Sequence, residues 1–247
     1  MIKLVNLTKR FGDILALDSL SLEINAGELF VFLGPNGAGK TTTIKLITGL
    51  LRPTSGEVFV GGYSMEREYL KAKKLIGYIP DTPFLYDKLT GREFLEFILE
   101  IYGEKRDPEK VEKFLRLFDL EEDGDRLLED YSHGMRQKIA FASALIHDPR
   151  ILVIDEPMVG LDPRSARLIK DILREKVKEG VTIFLSTHTL PVAEELADRI
   201  GIIDEGKLVS VGTFPELQRL AQVEGTLEEV FLKLTREDER KFKTFPS

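Results

Sequence analysis

The stretch GPNGAGKT at positions 34–41 constrains this chain more than any other part of its sequence. It fits the pattern G-x-x-x-x-G-K-[ST], whose glycines let successive backbone N–H groups point into one concavity and approach phosphate oxygens closely. Lys40 would place its ammonium on the β and γ phosphates, and the Thr41 hydroxyl would ligate Mg²⁺. An apolar run at 29–33 precedes the loop and a helical pattern follows it, as phosphate binding requires. The stretch therefore predicts a site for ATP with Mg²⁺.

The composition fits a folded domain and excludes several classes of site. Of the 247 residues, 43% are hydrophobic and 31% charged, which is typical of a globular chain rather than a disordered one. The net charge of −7 argues against a general nucleic-acid binder, and the absence of cysteine excludes disulfides and cysteine-based sites. No run approaches about 18 apolar residues, so we expect any membrane role to come through a partner. Few Asn, Gln and Met beside many charged residues are typical of hyperthermophile proteins.

Strand and helix patterns divide the chain into a core and an insertion. Residues 1–84 are predicted to be rich in strands, whereas 85–147 show helical patterns. The alternation of parallel strands and helices resumes over 148–214 and includes a β-hairpin at 200–211. A helical tail is expected over 215–247. The order indicates an α/β fold with a helical block inserted into it.

Helix starts are marked by residues that cap an N-terminus. Thr90 and Thr226 each precede a glutamate by three positions, the spacing of a capping box. Asp107 and Asp162 each stand directly before a proline, which favours the first position of a helix. Ser132 can cap a further helix. We therefore predict helices that begin just after each of these five residues.

Two apolar strands end in residues suited to phosphate chemistry. Asp155 and Glu156 follow the run at 151–154, and His188 follows shortly after the run at 181–185. In open α/β sheets, ligands bind beyond the carboxyl ends of the strands. Asp155 suits Mg²⁺, Glu156 suits activation of a water, and His188 suits contact with a γ-phosphate. Taken alone, a solvated acidic pair and a structural histidine would be the commoner explanations, but the phosphate loop reverses those odds.

A second candidate anion site lies in the helical block, in the sequence YSHGMRQ at 131–137. Ser132 as N-cap, with Gly134 permitting close approach, would create an anion site at a helix N-terminus. From the spacing alone, an ordinary capped helix is clearly the favoured explanation of these residues.

Taken in this order, these pieces resemble the ATP-binding subunit of ABC transporters, over nearly the whole chain. Positions 34–42 resemble the Walker A motif, 151–156 Walker B, 132–135 the ABC signature and 159–162 the D-loop. The resemblance implies a P-loop NTPase (RecA-like) parallel sheet core with an N-terminal antiparallel β subdomain and a helical insertion. Residues 1–84 and 148–214 would form the ATP-binding core, 85–147 the helical signature subdomain, and 215–247 a C-terminal helical tail.

The resemblance also implies which residues act. Catalysis would fall to Glu156 and His188, the switch histidine of the family, and Mg²⁺ to Thr41, Asp155 and Asp81. The implied ATP contacts are Phe11, which would stack on adenine, and Gly34, Pro35, Asn36, Gly37, Ala38, Gly39, Lys40, Thr41 and Thr42. A second subunit would add contacts from Ser132, His133, Gly134, Met135 and Asp162.

The sequence departs from the family pattern at two positions. Asp81 follows GYIP at 77–80, where the family usually has glutamine. Aspartate is shorter and anionic, which leaves its Q-loop role and its reach to Mg²⁺ open. His133 stands where the signature more often has glycine. Since Ser132 and Gly134 remain, we expect phosphate binding to persist.

The resemblance implies partners as well. Two ATP-binding subunits, identical or different, would form a head-to-tail dimer around two ATP molecules. A permease on a separate chain would hold them at the cytoplasmic face of the cell membrane as peripheral subunits. The signature variant at 131–137 and the sequence LEEVF at 227–231 resemble the subfamily that serves ABC-2 type exporters, which favours export.

Two other functions are compatible with a phosphate-binding loop. A soluble ABC-type ATPase acting on nucleic acid or ribosomes usually carries two cassettes or a long coiled-coil insertion, and this sequence has neither. A small-molecule kinase would use the same loop, but the signature at Ser132 and the pair Asp155 and Glu156 disfavour it. We therefore expect no nucleic acid partner. Co-purification with a membrane protein would support the transporter, and stimulation by nucleic acid the first alternative.

Overall fold

The structure is a computed structural model that describes residues 1–158 and 160–239. Strands and helices alternate along most of it, as the sequence patterns predict. The strands are β1 (Ile2–Phe11), β2 (Ile14–Ile24), β3 (Leu29–Leu33), β4 (Ser55–Val60), β5 (Tyr63–Ser64), β6 (Ile76–Ile79), β7 (Ile151–Asp155), β8 (Thr182–Thr187), β9 (Arg199–Asp204) and β10 (Lys207–Gly212). The helices are α1 (Lys40–Ile47), α2 (Tyr69–Lys74), α3 (Gly91–Ile101), α4 (Pro108–Leu117), α5 (His133–Leu145), α6 (Pro163–Lys178), α7 (Leu190–Leu196), α8 (Phe214–Ala221) and α9 (Leu227–Glu239).

The central sheet has the strand order β10-β9-β3-β8-β7-β6. The strands from β9 to β6 run parallel, and only β10 pairs antiparallel, as the predicted hairpin partner of β9. Every residue of β3, β7 and β8 is buried, which is why these strands are continuous apolar runs rather than alternating ones. Because β3, β7 and β8 are neighbours and parallel, the segments that follow them meet at one edge of the sheet.

A second sheet, with the order β2-β1-β4-β5, is entirely antiparallel. Its apolar residues pack against the central sheet and α1, where Leu4, Leu20 and Val58 join Phe32 and Ile44 in one buried cluster. The second sheet therefore covers the face of the central sheet that carries the phosphate loop helix. The predicted P-loop NTPase fold with an N-terminal antiparallel β subdomain is confirmed.

The helices α3, α4 and α5 lie within the range 85–147 predicted to be helical. Thr90 forms the expected capping box, since its side chain accepts from the Glu93 amide and Glu93 bonds back to the Thr90 amide. Asp107 caps α4 by accepting from the Lys110 amide. The apolar faces of these helices belong to the same buried cluster as Val31 and Ile154 of the central sheet. The helical block therefore shares a core with the sheet instead of enclosing one of its own.

The chain after β10 forms two helices, α8 and α9, that pack on each other. Thr226 and Glu229 bond to each other's backbone amides at 3.1 and 3.4 Å, the capping box expected before α9. Positions 240–247 of the predicted tail, and Val159 of the predicted D-loop, lie outside the described residues. Within the described residues, none of the helices is both long enough and apolar enough to cross a membrane.

Candidate ATP-binding site

The phosphate loop occupies the turn between β3 and α1, and its glycines are sterically required. Gly37 and Gly39 have φ values of 84° and 106°, in the left-handed region that favours glycine. A Cβ on Gly39 would lie 2.7 Å from the Leu17 side chain and 2.8 Å from the Ala16 carbonyl oxygen. Any larger residue would therefore push the loop away from the start of β2.

Lys40 is the first residue of α1, and only 5% of its surface is exposed. Its Nζ donates to the carbonyl oxygens of Gly34 at 2.8 Å and Pro35 at 3.1 Å, so the ammonium lies within the curve of the loop. The positive end of α1 faces the same region. The loop can therefore present a fixed cation together with helix N–H groups to a phosphate.

Glu156 lies next to Lys40, one residue beyond the end of β7. Its φ of 48° is left-handed, which costs a non-glycine residue about 1–3 kcal/mol. Its carboxylate accepts from the Thr187 hydroxyl at 3.1 Å, lies 2.9 Å from His188 Nδ1, and has Oε1 3.4 Å from Lys40 Nζ. The strained turn thus aims the carboxylate sideways, between the phosphate-loop lysine and the histidine. The structure brings these three predicted residues together.

Asp155, the last residue of β7, is 2% exposed. It pairs with Ser186 across the parallel β7–β8 ladder, and the Ser186 hydroxyl donates to Asp155 Oδ1 at 2.5 Å. Sequence reasoning did not assign a role to Ser186 or Thr187. The available signal was the change from apolar to hydroxyl residues at the end of β8, one strand away from the acidic pair.

A depression of about 230 Å³ lies over the phosphate loop. Asp81 lines it together with Glu156, so the short side chain in the glutamine position does face the site. The remaining lining residues are Ala16, Asn36, Gly37, Gly39, Lys40, Thr41 and Thr42.

Burial raises the pKa of Tyr78 to about 12, and the negative charges of Asp155 and Asp81 add to this rise. The Tyr78 hydroxyl therefore stays neutral beside two carboxylates.

The oxygen donors around the loop fit Mg²⁺. This ion keeps several waters and takes one or two protein oxygens in addition to phosphate oxygens. Thr41 is exposed at the depression, and Asp155 offers a carboxylate at the same sheet edge. Among the residues that the structure describes, no group of three or more His, Cys, Asp or Glu side chains is placed to hold a metal ion.

The predicted signature motif lies outside the residues that line this depression. Ser132 is exposed and caps α5, since its hydroxyl accepts from the Met135 amide at 3.3 Å. A Cβ on Gly134 would meet nothing within 4 Å, so the backbone there is open to approach. His133 Nε2 lies 2.9 Å from the position that a Cβ would take on Gly160, so the signature contacts the predicted D-loop. One chain thus carries two separate candidate phosphate contacts.

Two other predicted ATP contacts have different surroundings. Asp162 caps α6, where its carboxylate accepts from the Arg164 and Ser165 amides and, at 2.6 Å, from the Ser165 hydroxyl. The Ser165 hydroxyl bond holds the pKa of Asp162 below its usual value, and the amide bonds add to this effect. Phe11 is 45% exposed at the end of β1, with Lys9 Nζ 5.0 Å from its ring centre, and is not among the lining residues. Its ring is accessible for stacking.

Comparison with known proteins identifies the family. The family profile described as ABC transporter matches residues 17–159, more than half of the chain. The chain is 40% identical over 213 residues to the ABC transporter ATP-binding protein YhcH of Bacillus subtilis, covering 85% of this chain and 69% of YhcH. It is 39% identical over 212 residues to the daunorubicin resistance ATP-binding protein DrrA3 of Streptomyces coeruleorubidus, covering 85% of this chain and 67% of DrrA3.

Solved structures agree. One, described as the ATP-binding subunit of an ABC transporter, superposes with a TM-score of 0.89 at 31% identity, covering 95% of this chain and 99% of the other. Another, described as a dimeric post-hydrolysis state of an ATP-binding cassette bound to ADP and Pi, has a TM-score of 0.80 at 28% identity, covering 86% and 98%. The chain belongs to the ABC transporter family, as an ATP-binding and ATP-hydrolysing subunit.

Substitutions of Lys40 and Glu156 should separate ATP binding from ATP hydrolysis. We expect Lys40→Ala to weaken ATP binding about tenfold to a hundredfold, since a hydrogen bond to a charged group contributes about 1.5–3 kcal/mol. Glu156→Gln should keep ATP affinity but lower the hydrolysis rate by about 10²–10⁴, the usual contribution of a positioned base. Calorimetric titration with ATP and a phosphate-release assay would measure the two effects.

Lys45→Ala is a matched control, because Lys45 lies exposed in the last turn of the same helix. Lys45→Ala should change neither the ATP affinity nor the rate of hydrolysis. Normal ATP affinity in Lys40→Ala would contradict the role of Lys40, and a near-normal rate in Glu156→Gln would contradict that of Glu156.

Proposed function

We propose that two such subunits enclose two ATP molecules between them, each bound by the phosphate loop of one chain and the signature of the other. The observation that carries this proposal is the separation of the two phosphate contacts. Ser132 is exposed and Gly134 is half-buried at the N-terminus of α5, and neither lines the depression over Lys40. The site in one chain is therefore half of the proposed site. The similar structure described as a dimer with ADP and Pi supports the arrangement.

The residues divide the work of hydrolysis as follows. Lys40 and the loop amides bind the phosphates, and Thr41 with Asp155 would hold Mg²⁺, which neutralises charge on the phosphate oxygens. Glu156 accepts a proton from, or orients, the attacking water, and His188 and Thr187 hold its carboxylate in place. Asp81 faces the same depression and would reach the metal through a water.

The dimer would form and dissociate with the state of the nucleotide. Two helix N-termini that face one γ-phosphate bind it more strongly than either does alone, because each contributes oriented N–H groups. ATP then holds the subunits together, and loss of the γ-phosphate removes the bridge between them. This cycle converts hydrolysis into motion of two chains.

We place the membrane partner on the segment that follows Asp81. Phe84 is 89% exposed and Tyr86 59% exposed, and the Tyr86 ring packs edge-on against Phe97. Contiguous apolar surface of this kind is typical of protein–protein contacts, whereas apolar residues exposed singly are not. A permease on another chain would cover them and hold this subunit at the cytoplasmic face of the membrane. Export is the proposed direction, because DrrA3 is described as a resistance protein for daunorubicin.

The proposed dimer requires a phosphate contact from the second chain, and one substitution can remove that contact. In a Glu156→Gln background we expect ATP to convert the chain from monomer to dimer. Gly134→Asp should weaken that dimer at least about tenfold, equivalent to about 1.4 kcal/mol, because a carboxylate would face the γ-phosphate. The side chain has room within the monomer, since nothing lies within 4 Å of the added Cβ. Sedimentation velocity with and without ATP would measure the change.

Leu220→Asp adds the same charge at a site on α8 that is 61% exposed, and it should leave the dimer unchanged. The proposed dimer would be contradicted if the Glu156→Gln chain stayed monomeric at saturating ATP. It would also be contradicted if adding Gly134→Asp left dimerisation unchanged.

The membrane proposal has its own test. We expect the tagged chain, purified from detergent-solubilised membranes of its own cells, to retain a multi-span membrane protein. Phe84→Asp should lose that protein because it places a charge in an apolar contact, whereas Leu220→Asp should retain it. Quantitative mass spectrometry of the purified fractions would measure retention. Absence of any membrane protein, together with ATPase stimulation by nucleic acid, would favour the alternative function instead.

A further inference from the structure

Residues 87–90, which follow Asp81, are hydrogen-bonded to residues 127–130, which precede the signature. The amide of Leu128 donates to the Leu89 carbonyl at 2.9 Å, and the amide of Glu129 donates to the Asp87 carbonyl at 3.2 Å. Thr90 and Leu127 form an antiparallel bridge at the same place. Residues 87–90 and 127–130 are therefore joined as one short paired unit.

Arg136 joins this unit to α5. Its Nη1 donates to Asp87 Oδ1 at 2.9 Å and to the Leu128 carbonyl at 2.8 Å, one acceptor from each paired segment. The Arg136 amide donates to the Ser132 carbonyl at 2.9 Å and so closes the first turn of the helix. The residue thus connects the paired unit directly to the turn that begins at the signature serine.

The chemistry of arginine suits this position. The guanidinium is planar and permanently charged, so it holds several acceptors in a fixed geometry that a flexible lysine would not. The Arg136 side chain is 28% exposed, and hydrogen bonds between charged groups that are partly removed from water are among the stronger ones. A shift of Asp87 would therefore pull on the first turn of α5.

We propose that Arg136 is a positioning residue, through which the segment 81–90 sets the orientation of Ser132 and Gly134. The same segment carries Asp81, which lines the depression of its own chain, and the exposed Phe84. Arg136 thus connects one ATP site and the surface at Phe84 to the signature that would contact the other ATP. The consequence for ATP rests on the proposed dimer, but the positioning of α5 does not.

The structure supplies a matched control. Lys88 and Glu129 form an ion pair at 2.6 Å that also joins the two paired segments, but neither residue lies on α5. Lys88 is 82% exposed, so its pair should contribute little. Arg136→Gln and Lys88→Gln each remove one positive charge from the same region, yet only the first removes the connection to the helix.

The first experiment measures amide hydrogen exchange in the full chain without nucleotide. We expect Arg136→Gln to speed exchange at the first-turn amides of α5, including those of Met135 and Arg136, by about tenfold. Lys88→Gln should leave these rates within about twofold. Asp87→Asn should reproduce part of the effect and add nothing to Arg136→Gln, because both act through one interaction. Equal exchange in the Arg136 and Lys88 variants, or additive effects of Asp87 and Arg136, would overturn the proposal.

The second experiment measures ATP-driven dimerisation in the Glu156→Gln background. Arg136→Gln should raise the ATP concentration at half-dimerisation about tenfold, while ATP affinity of the dilute monomer stays unchanged. Lys88→Gln should change neither the ATP concentration at half-dimerisation nor the ATP affinity of the monomer. Unchanged dimerisation in Arg136→Gln would overturn the connection to ATP. If no variant dimerises, the proposed dimer fails, and the exchange rates still decide whether Arg136 positions the helix.

Discussion

The carboxylate of Glu156 lies between Lys40 Nζ at 3.4 Å and His188 Nδ1 at 2.9 Å, and the rest of the site depends on this cluster. Lys40 begins α1 after the loop that follows β3, Glu156 belongs to the turn after β7, and His188 to the turn after β8. The three meet because β3, β8 and β7 are consecutive neighbours in a parallel sheet. Lys40 and Glu156 are both largely buried, so removing either charge leaves the other without its partner in a poorly solvated place. A parallel sheet with fully buried strands thus serves to hold one lysine and one glutamate at a fixed separation.

In the proposed dimer, each chain contributes half of an ATP site. The phosphate loop and Glu156 would contact one side of the nucleotide, and the exposed N-terminus of α5 offers a second set of donors elsewhere on the chain. A helix N-terminus binds anions through N–H groups that are already oriented. One ATP molecule can therefore bring together two surfaces that each present such groups. In the proposed dimer, loss of the γ-phosphate would remove this bridge, and the proposed membrane partner would follow the separation of the two subunits.

Features that depend on local sequence were predictable. The phosphate loop lies between β3 and α1, and the caps at Thr90, Asp107 and Ser132 form as expected, because each relies on residues within about one turn. The short helix α2 was not predicted, since its six residues give too little periodicity.

Long-range contacts were not accessible from the sequence. The bonds that orient Glu156 come from a strand about thirty positions later, and its left-handed backbone has no sequence signal. The Asp162 carboxylate caps its own helix, as the pair Asp162 and Pro163 predicts, and its contact with ATP in a second chain stays a prediction.

The central claim, that each ATP site is completed by a second chain, can be tested by mixing two inactive variants. Lys40→Ala lacks a working phosphate loop, and Gly134→Asp lacks a working signature, so neither forms an intact site with itself. In a mixed dimer, the loop of the Gly134→Asp chain meets the signature of the Lys40→Ala chain, and one site is complete. The account predicts that the mixture hydrolyses ATP faster than the sum of the separate variants. A rate equal to that sum would contradict it.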